Sequence, residues 1–258
     1  MSRDALQICE VSLRLGERLL LAPLSLTVRA GEVATVMGPS GCGKSSLLAY
    51  LCGMLDPAFR AEGRVRVGGV DVTDLPPERR RIGILFQDDL LFPHLSVGEN
   101  LAFGLPSTVR TRGQRRARVA AALAEADLGG FAERDPVTLS GGQRARVALF
   151  RMLLSEPAAL LLDEPFSKLD ADLKAKFRQT VFDHARRSAL PTLLVTHDPA
   201  DAAAAGGRVI EIGRPGTDAT PALDPAPVEQ TAVIRPDRSL RLRQTAGPPQ
   251  GRRKGATD

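Results

Sequence analysis

"GEVATVMGPSGCGKSSLLAYLCGML", residues 31–55, decides the fold of this 258-residue chain. It opens on a short apolar run, GEVATVMG, that reads as a buried strand. Gly38-Pro39-Ser40-Gly41-Cys42-Gly43-Lys44-Ser45 follows, and beyond it Leu47, Leu48, Leu51, Cys52 and Leu55 recur at helical spacing. Strand, glycine-rich loop and helix in this order are the setting in which G-x-x-x-x-G-K-[ST] holds a nucleotide's phosphates. The glycines let backbone N–H groups ring a β-phosphate, Lys44 reaches the β- and γ-phosphates, and the Ser45 hydroxyl is placed to ligate Mg2+. Cys42, in the same loop beside Lys44 and a helix N-terminus, is expected to be accessible when the loop is empty.

A second anion-binding pattern lies at 138–154, "TLSGGQRARVALFRMLL". Ser140 can cap a helix, Gly141 and Gly142 allow close approach of a ligand, and an amphipathic run begins at Gln143. One nucleotide does not explain two such sites in one chain.

Carboxylates complete the chemistry. "AALLLDEP" (158–165) reads as a buried strand ending in Asp163 and Glu164, where α/β proteins form ligand sites. Asp163 is suited to hold Mg2+ through water, and Glu164 to polarise an attacking water. Gln87 ends the strand-like "RIGILFQ" (81–87), within reach of a metal or a water, and His197 follows "TLLVT" (192–196), able to contact a γ-phosphate.

The rest of the chain supplies the frame. Residues 6–15 and 19–28 read as strands around a turn, and 64–72 as a hairpin about Gly68-Gly69. Ser96 and Glu99 form a capping box, 108–128 is Arg- and Ala-rich and helical, and Leu173, Phe177, Val181, Phe182 and Ala185 mark a helix face. Strands alternating with helices imply a mainly parallel sheet, and the early hairpins imply an antiparallel annex. From Arg214 proline and glycine accumulate and periodicity vanishes, so 214–258 is expected to be a disordered basic tail.

Composition narrows the function. Of the net charge of +5, the tail carries +3 and residues 1–213 only +2; with one tyrosine and no tryptophan there are few platforms for bases, which argues against nucleic acid. Three cysteines without a CxxC pair argue against a disulfide framework or a zinc site. No run resembles a signal peptide or a membrane span, so the chain is expected in the cytoplasm, reaching a membrane only through a partner.

Taken together, the phosphate loop, Gln87, LSGGQ (139–143), LLLDE (160–164), SKLD (167–170) and His197 resemble the ATPase subunits of ABC transporters over residues 6–213. The likeness extends to the YnjD-type group, through MGPSGCGKS, IGILFQD, LSGGQRARVAL and LLLDEPFSKLD. It implies an α/β fold: a P-loop NTPase core on a mainly parallel sheet, an N-terminal antiparallel β subdomain, and an inserted α-helical subdomain at roughly 88–156 that carries the signature. The resemblance also implies ATP and Mg2+ as cofactors, with Ser45, Gln87 and Asp163 at the metal, and Glu164, His197 and Gln87 as catalytic residues. Two copies would pack head to tail, Ser140, Gly141, Gly142 and Gln143 of each covering the ATP held by residues 38–46 of the other. Asp170 would contact the opposite copy.

"LFQDDLLFPHLSVGENLAFGL" (85–105) is similar to the stretch that receives a membrane permease in importer ATPases, where a periplasmic binding protein belongs to the same system. Such an enzyme sits on the cytoplasmic face of the inner membrane. The chain departs from the family pattern at Leu15, where an aromatic that stacks on adenine is usual. Ser46 replaces a usual threonine, and Lys168 a small residue. Soluble ABC ATPases of translation or DNA repair are the alternative, but the former carry two cassettes and the latter a long insertion. Ser140 follows Lys44 by only 96 positions.

Overall fold

The computed structural model describes residues 5–167, 169 and 171–213; Lys168, Asp170 and the tail 214–258 lie outside the described residues. Strands β1 (Leu6–Leu15) and β2 (Arg18–Val28) form the expected hairpin. With β4 (Phe59–Val67) and β5 (Val70–Asp71) they make an antiparallel sheet of order β2-β1-β4-β5. Strand β3 (Val33–Met37) enters a second sheet, where it joins β6 (Ile82–Leu85), β7 (Ala159–Asp163), β8 (Thr192–Val195) and β9 (Val209–Glu211). All its pairings are parallel, in the order β6-β7-β8-β3-β9.

Alternation along these strands sends neighbouring residues to opposite faces. Ala34, Val36, Leu161 and Leu193 pack with Leu47, Leu48 and Leu51 of α1 (Lys44–Cys52) and with the antiparallel sheet. Val33, Leu162 and Leu194 point the other way, into a second core. That core is built from α2 (Val97–Phe103), α3 (Arg112–Glu125), α4 (Gly141–Leu153) and α5 (Ala171–Arg187). The phosphate-loop helix and the signature helix therefore lie against opposite faces of one sheet.

Several boundaries differ from the sequence expectation. Helix α1 stops at Cys52 because Gly53 adopts a left-handed cap, so Leu55 lies beyond it. Strand β6 ends at Leu85, two residues before Gln87. Helix α6 (Pro199–Ala205) and β9 have no counterpart in the sequence reading. The alanines of α6 show no apolar period, and β9 is ordered by its pairing with β3 rather than by its three residues.

Candidate active site

Parallel pairing brings the carboxyl ends of four adjacent strands to one edge of the sheet, where open α/β sheets bind ligands. β3 delivers the phosphate loop, β7 delivers Asp163 and Glu164, β8 delivers His197, and β6 points Gln87 toward the same edge. Gln87 is exposed there, without a hydrogen bond among the described residues.

The loop has the form that a phosphate chain needs. Gly41 and Gly43 take φ of 78° and 94°, which only glycine adopts without strain, and a Cβ on Gly41 would meet nothing within 4 Å. The N–H groups of Ser40, Gly41 and Gly43 donate to no backbone carbonyl among the described residues. Lys44 is buried, its ammonium donating to the carbonyls of Gly38 (2.7 Å) and Pro39 (2.9 Å). Pro39, Ser40 and Ser45 are exposed along the rim and Ser46 is half-buried.

Cys42 contradicts the expectation of an accessible thiol. It is 1% exposed, with its sulfur turned under the loop, 3.9 Å from the Lys44 ammonium. Packing against α1 and β3 outweighs the polarity of the loop, so residue 42 is buried as a whole.

The Asp163 carboxyl is raised above its ordinary range, chiefly by burial and further by the Glu164 charge; hydrogen bonding from Ser45 and the charge of Lys44 oppose the rise. A carboxylate that is poorly solvated beside a hydroxyl gains from a hard cation, and these oxygen donors suit Mg2+. Among the described residues no group of three or more His, Cys, Asp and Glu side chains is arranged as a metal cage. Such a cation would need phosphate oxygens or water to complete its shell.

Glu164 stands at φ 46°, left-handed for a residue with a Cβ, and its N–H donates to the Val195 carbonyl (2.9 Å). Its Oε1 lies 3.0 Å from Nδ1 of His197. Two residues far apart in sequence thus meet at one end of the sheet, and Glu164 holds its place there in a conformation that costs a residue with a Cβ some strain.

Ser140 caps α4 and shares a capping box with Gln143: the Gln143 N–H donates to Ser140 Oγ (3.3 Å), and the Ser140 N–H to Gln143 Oε1 (2.9 Å). The two glycines divide. A Cβ on Gly141 would find only Arg144 Nη2 at 3.9 Å, but one on Gly142 would overlap the Leu173 Cδ2 methyl of α5. Gly141 leaves room for a ligand, whereas Gly142 lets α4 seat against α5.

One feature had no counterpart in the sequence reading. Lys174 and Arg178 of α5 pair with Asp198 and Asp201, next to His197. Cations spaced i,i+4 are visible in sequence, but their partners on another element are not.

A family model described as "ABC transporter" matches residues 21–167, which include the phosphate loop, the signature and both carboxylates. The chain belongs to the ABC transporter family. It is an ATP-binding subunit of that family and an ATPase. Among relatives of this ABC subunit, YnjD of Escherichia coli K12, an uncharacterized ABC transporter ATP-binding protein, is 51% identical over 191 residues, covering 74% of this chain and 88% of YnjD. FbpC of the same strain, an Fe(3+) ions import ATP-binding protein, is 37% identical over 221 residues, 83% of this chain and 63% of FbpC. The chain thus spans less than two thirds of that importer's length. Among solved structures, a dimeric ATP-binding cassette in a post-hydrolysis state with ADP and Pi superposes with a TM-score of 0.70 at 31% identity, covering 81% of this chain and 96% of that one.

Proposed function

We propose that this ABC subunit hydrolyses ATP as half of a head-to-tail homodimer and drives a separate membrane permease that imports a small solute. The observation that carries this reading is the placement of two anion-binding segments, 38–46 and 140–143, on helices against opposite faces of one sheet. A second copy turned head to tail gives the signature a nucleotide to cover. Ser140, Gly141 and the α4 N-terminus would face the partner's γ-phosphate, with Gly142 and Gln143 holding that terminus in shape. Dimeric cassettes among the structural relatives support the arrangement.

Within each site, Ser45, Gln87 and Asp163 (through water) would hold Mg2+, which neutralises phosphate charge when bound. Lys44 would exchange its loop carbonyls for phosphate oxygens. Glu164 would polarise the attacking water, and His197, oriented by the Glu164 carboxylate at Nδ1, keeps its other ring nitrogen for the γ-phosphate. Asp170 is proposed to contact the partner copy.

Permease docking near 87–105 is supported by a cavity of about 260 Å3 beside the β6 end. Asn100, fully buried, bonds Phe92, Leu95 and Ser96 and shapes the loop, and Phe92 packs on Phe103 with centroids 4.7 Å apart. Part of the apolar loop is therefore covered internally. Leu90 (56% exposed) and Phe103 (67%) stay open at the cavity rim. Among the described residues no helix is long and apolar enough to cross a membrane. We place the protein on the cytoplasmic face of the inner membrane through the permease, with a periplasmic binding protein in the same system; the importers among its relatives motivate the direction.

Mixing Lys44→Ala with Ser140→Arg subunits tests the shared site. Each variant alone is expected to be nearly inactive, while heterodimers place both lesions in one site and leave the other intact. Nucleotide-trapped crosslinks between positions 44 and 140 of opposing copies should form. Their absence, with no activity in the mixture, refutes the head-to-tail assembly.

A further inference from the structure

Directly behind the Glu164–His197 pair lies a cluster of two cations and two carboxylates with no assigned role. Lys174 Nζ donates to Asp198 Oδ2 at 2.5 Å and lies 3.7 Å from Asp201 Oδ1. Arg178 Nε donates to Asp201 Oδ1 at 2.6 Å, and Nη2 reaches both that oxygen and Asp198 Oδ2 (3.2 Å). Asp201 is 2% exposed, so its charge depends on these partners.

The cluster grips both neighbours of His197. Thr196, just before it, donates its buried hydroxyl to Asp201 Oδ2 (2.8 Å) and accepts the Asp198 N–H at the same oxygen (3.1 Å). Asp198, just after it, carries the carboxylate that Lys174 and Arg178 share. His197 is therefore an exposed ring on a backbone fixed at both sides. Glu164 is reached from the other direction. The Arg178 guanidinium carbon sits 5.9 Å from the Phe166 ring centre, two residues past Glu164, and Phe166 packs edge-on to Phe177 and Phe182. Lys174 and Arg178 stand one turn apart on α5, so a single helix face touches the supports of both members of the pair.

We propose that Lys174 and Arg178 are positioning residues that set the register between His197 and Glu164, and so tie ATP hydrolysis to the seating of α5. Asp170, proposed above to contact the partner copy, immediately precedes this helix in sequence; a shift of α5 on dimerisation would move the pair through the two cations. Apolar side chains would fill the same space with comparable stability, but only a multiply bonded ionic cluster fixes Asp198 at one set of distances. Placement matters because a displacement of about 1 Å at a reacting group can cost ~10²-fold in rate. The inference rests on the reading of Glu164 and His197 as the hydrolytic pair.

The test uses the purified full chain, with steady-state ATPase rates, binding of a fluorescent ATP analogue, and thermal melting. Lys174→Met and Asp198→Asn are expected to lower kcat by about tenfold or more, while KM and analogue affinity stay within about twofold, because the phosphate contacts are untouched. Lys174→Arg should recover most of the rate. In a Glu164→Gln background, Lys174→Met should reduce the residual single-turnover rate no further, whereas a general folding defect would subtract in either background. Asparagine caps a helix as well as aspartate does, so Asp198→Asn preserves the start of α6; if it nevertheless fails to fold, the Lys174 variants decide.

Wild-type kcat in Lys174→Met, or an equal loss in both backgrounds, overturns the proposal. Full turnover in Glu164→Gln alone would instead remove the hydrolytic assignment beneath it. An inactive Glu164→Gln beside a normal Lys174→Met removes only the positioning role.

Discussion

Gly142→Ala separates the two glycines of the signature. Its Cβ would overlap Leu173 Cδ2 and stand 3.1 Å from Cγ and 3.6 Å from Cδ1. Rotation about the leucine side chain can move the terminal methyl away, but the Cγ contact remains tighter than an ordinary van der Waals approach. Leucine must shift together with α5. Overpacking of this kind costs about 1–3 kcal/mol, and because one methyl can rotate the lower half of that range, about 1–2 kcal/mol, is expected. In a chain of this size that is a fall of roughly 2–8 °C in Tm. Gly141→Ala should leave Tm within about 2 °C, its Cβ finding only Arg144 Nη2 at 3.9 Å. Calorimetry on the two single variants, on Leu173→Ala and on Gly142→Ala/Leu173→Ala completes a cycle. Leucine removal should relieve the clash, with a coupling of at least about 0.5 kcal/mol. An unchanged Tm in Gly142→Ala, or a strictly additive double variant, would refute the packing role.

Leu15, 43% exposed at the end of β1, can be replaced by tyrosine, and the added base stacking should tighten ATP binding by up to roughly tenfold, about 1.4 kcal/mol. Arg14→Ala should change affinity little, since that guanidinium donates to the Glu17 carbonyl (3.2 Å); titration of a fluorescent ATP analogue reads both, and a large loss in Arg14→Ala would put adenine on the arginine instead. Maleimide should label Cys42 and Cys52 only on unfolding, with or without MgATP. Cys42 is shielded, and burial pushes the Cys52 thiol up to about 12, leaving it neutral at pH 8. Rapid native labelling of Cys42 with nucleotide protection would contradict the inward-turned sulfur. Asp198 is held below the ordinary carboxylate range, first by Lys174 and then by the Ala200 N–H. Its contribution is therefore present above about pH 4, near the unfolded value, and lost as pH falls through the folded one. Urea unfolding should find wild type ahead of Asp198→Asn at pH 7, with the gap narrowing as the pH falls below about 4; a gap independent of pH would show that the charge is not what matters.

Each nucleotide motif was legible from local order, and their succession along the chain carried the resemblance to an ATPase. A strand, GPSGCGKS and a helix determine a phosphate loop because each feature acts on its immediate neighbours: apolar period, absent Cβ atoms, a lysine at fixed offset. The same holds for the Ser140–Gln143 capping box, whose two hydrogen bonds span three residues, and for the alternation that sends Leu161 and Leu162 to different cores. What only the tertiary structure decided involves partners distant in sequence. The sulfur of Cys42 turns inward because α1 and β3 close over it. Gly142 is required by Leu173, 31 residues on, and Glu164 meets His197 across 33 residues. Strand β9 exists because β3 offers an unpaired edge, and Lys174 finds Asp198 because α5 and α6 pack together. Side-chain pattern specifies which surfaces are buried and how short segments turn, but not which buried surface meets which. That choice belongs to the packing of the whole sheet with its helices, and it places the charges behind His197.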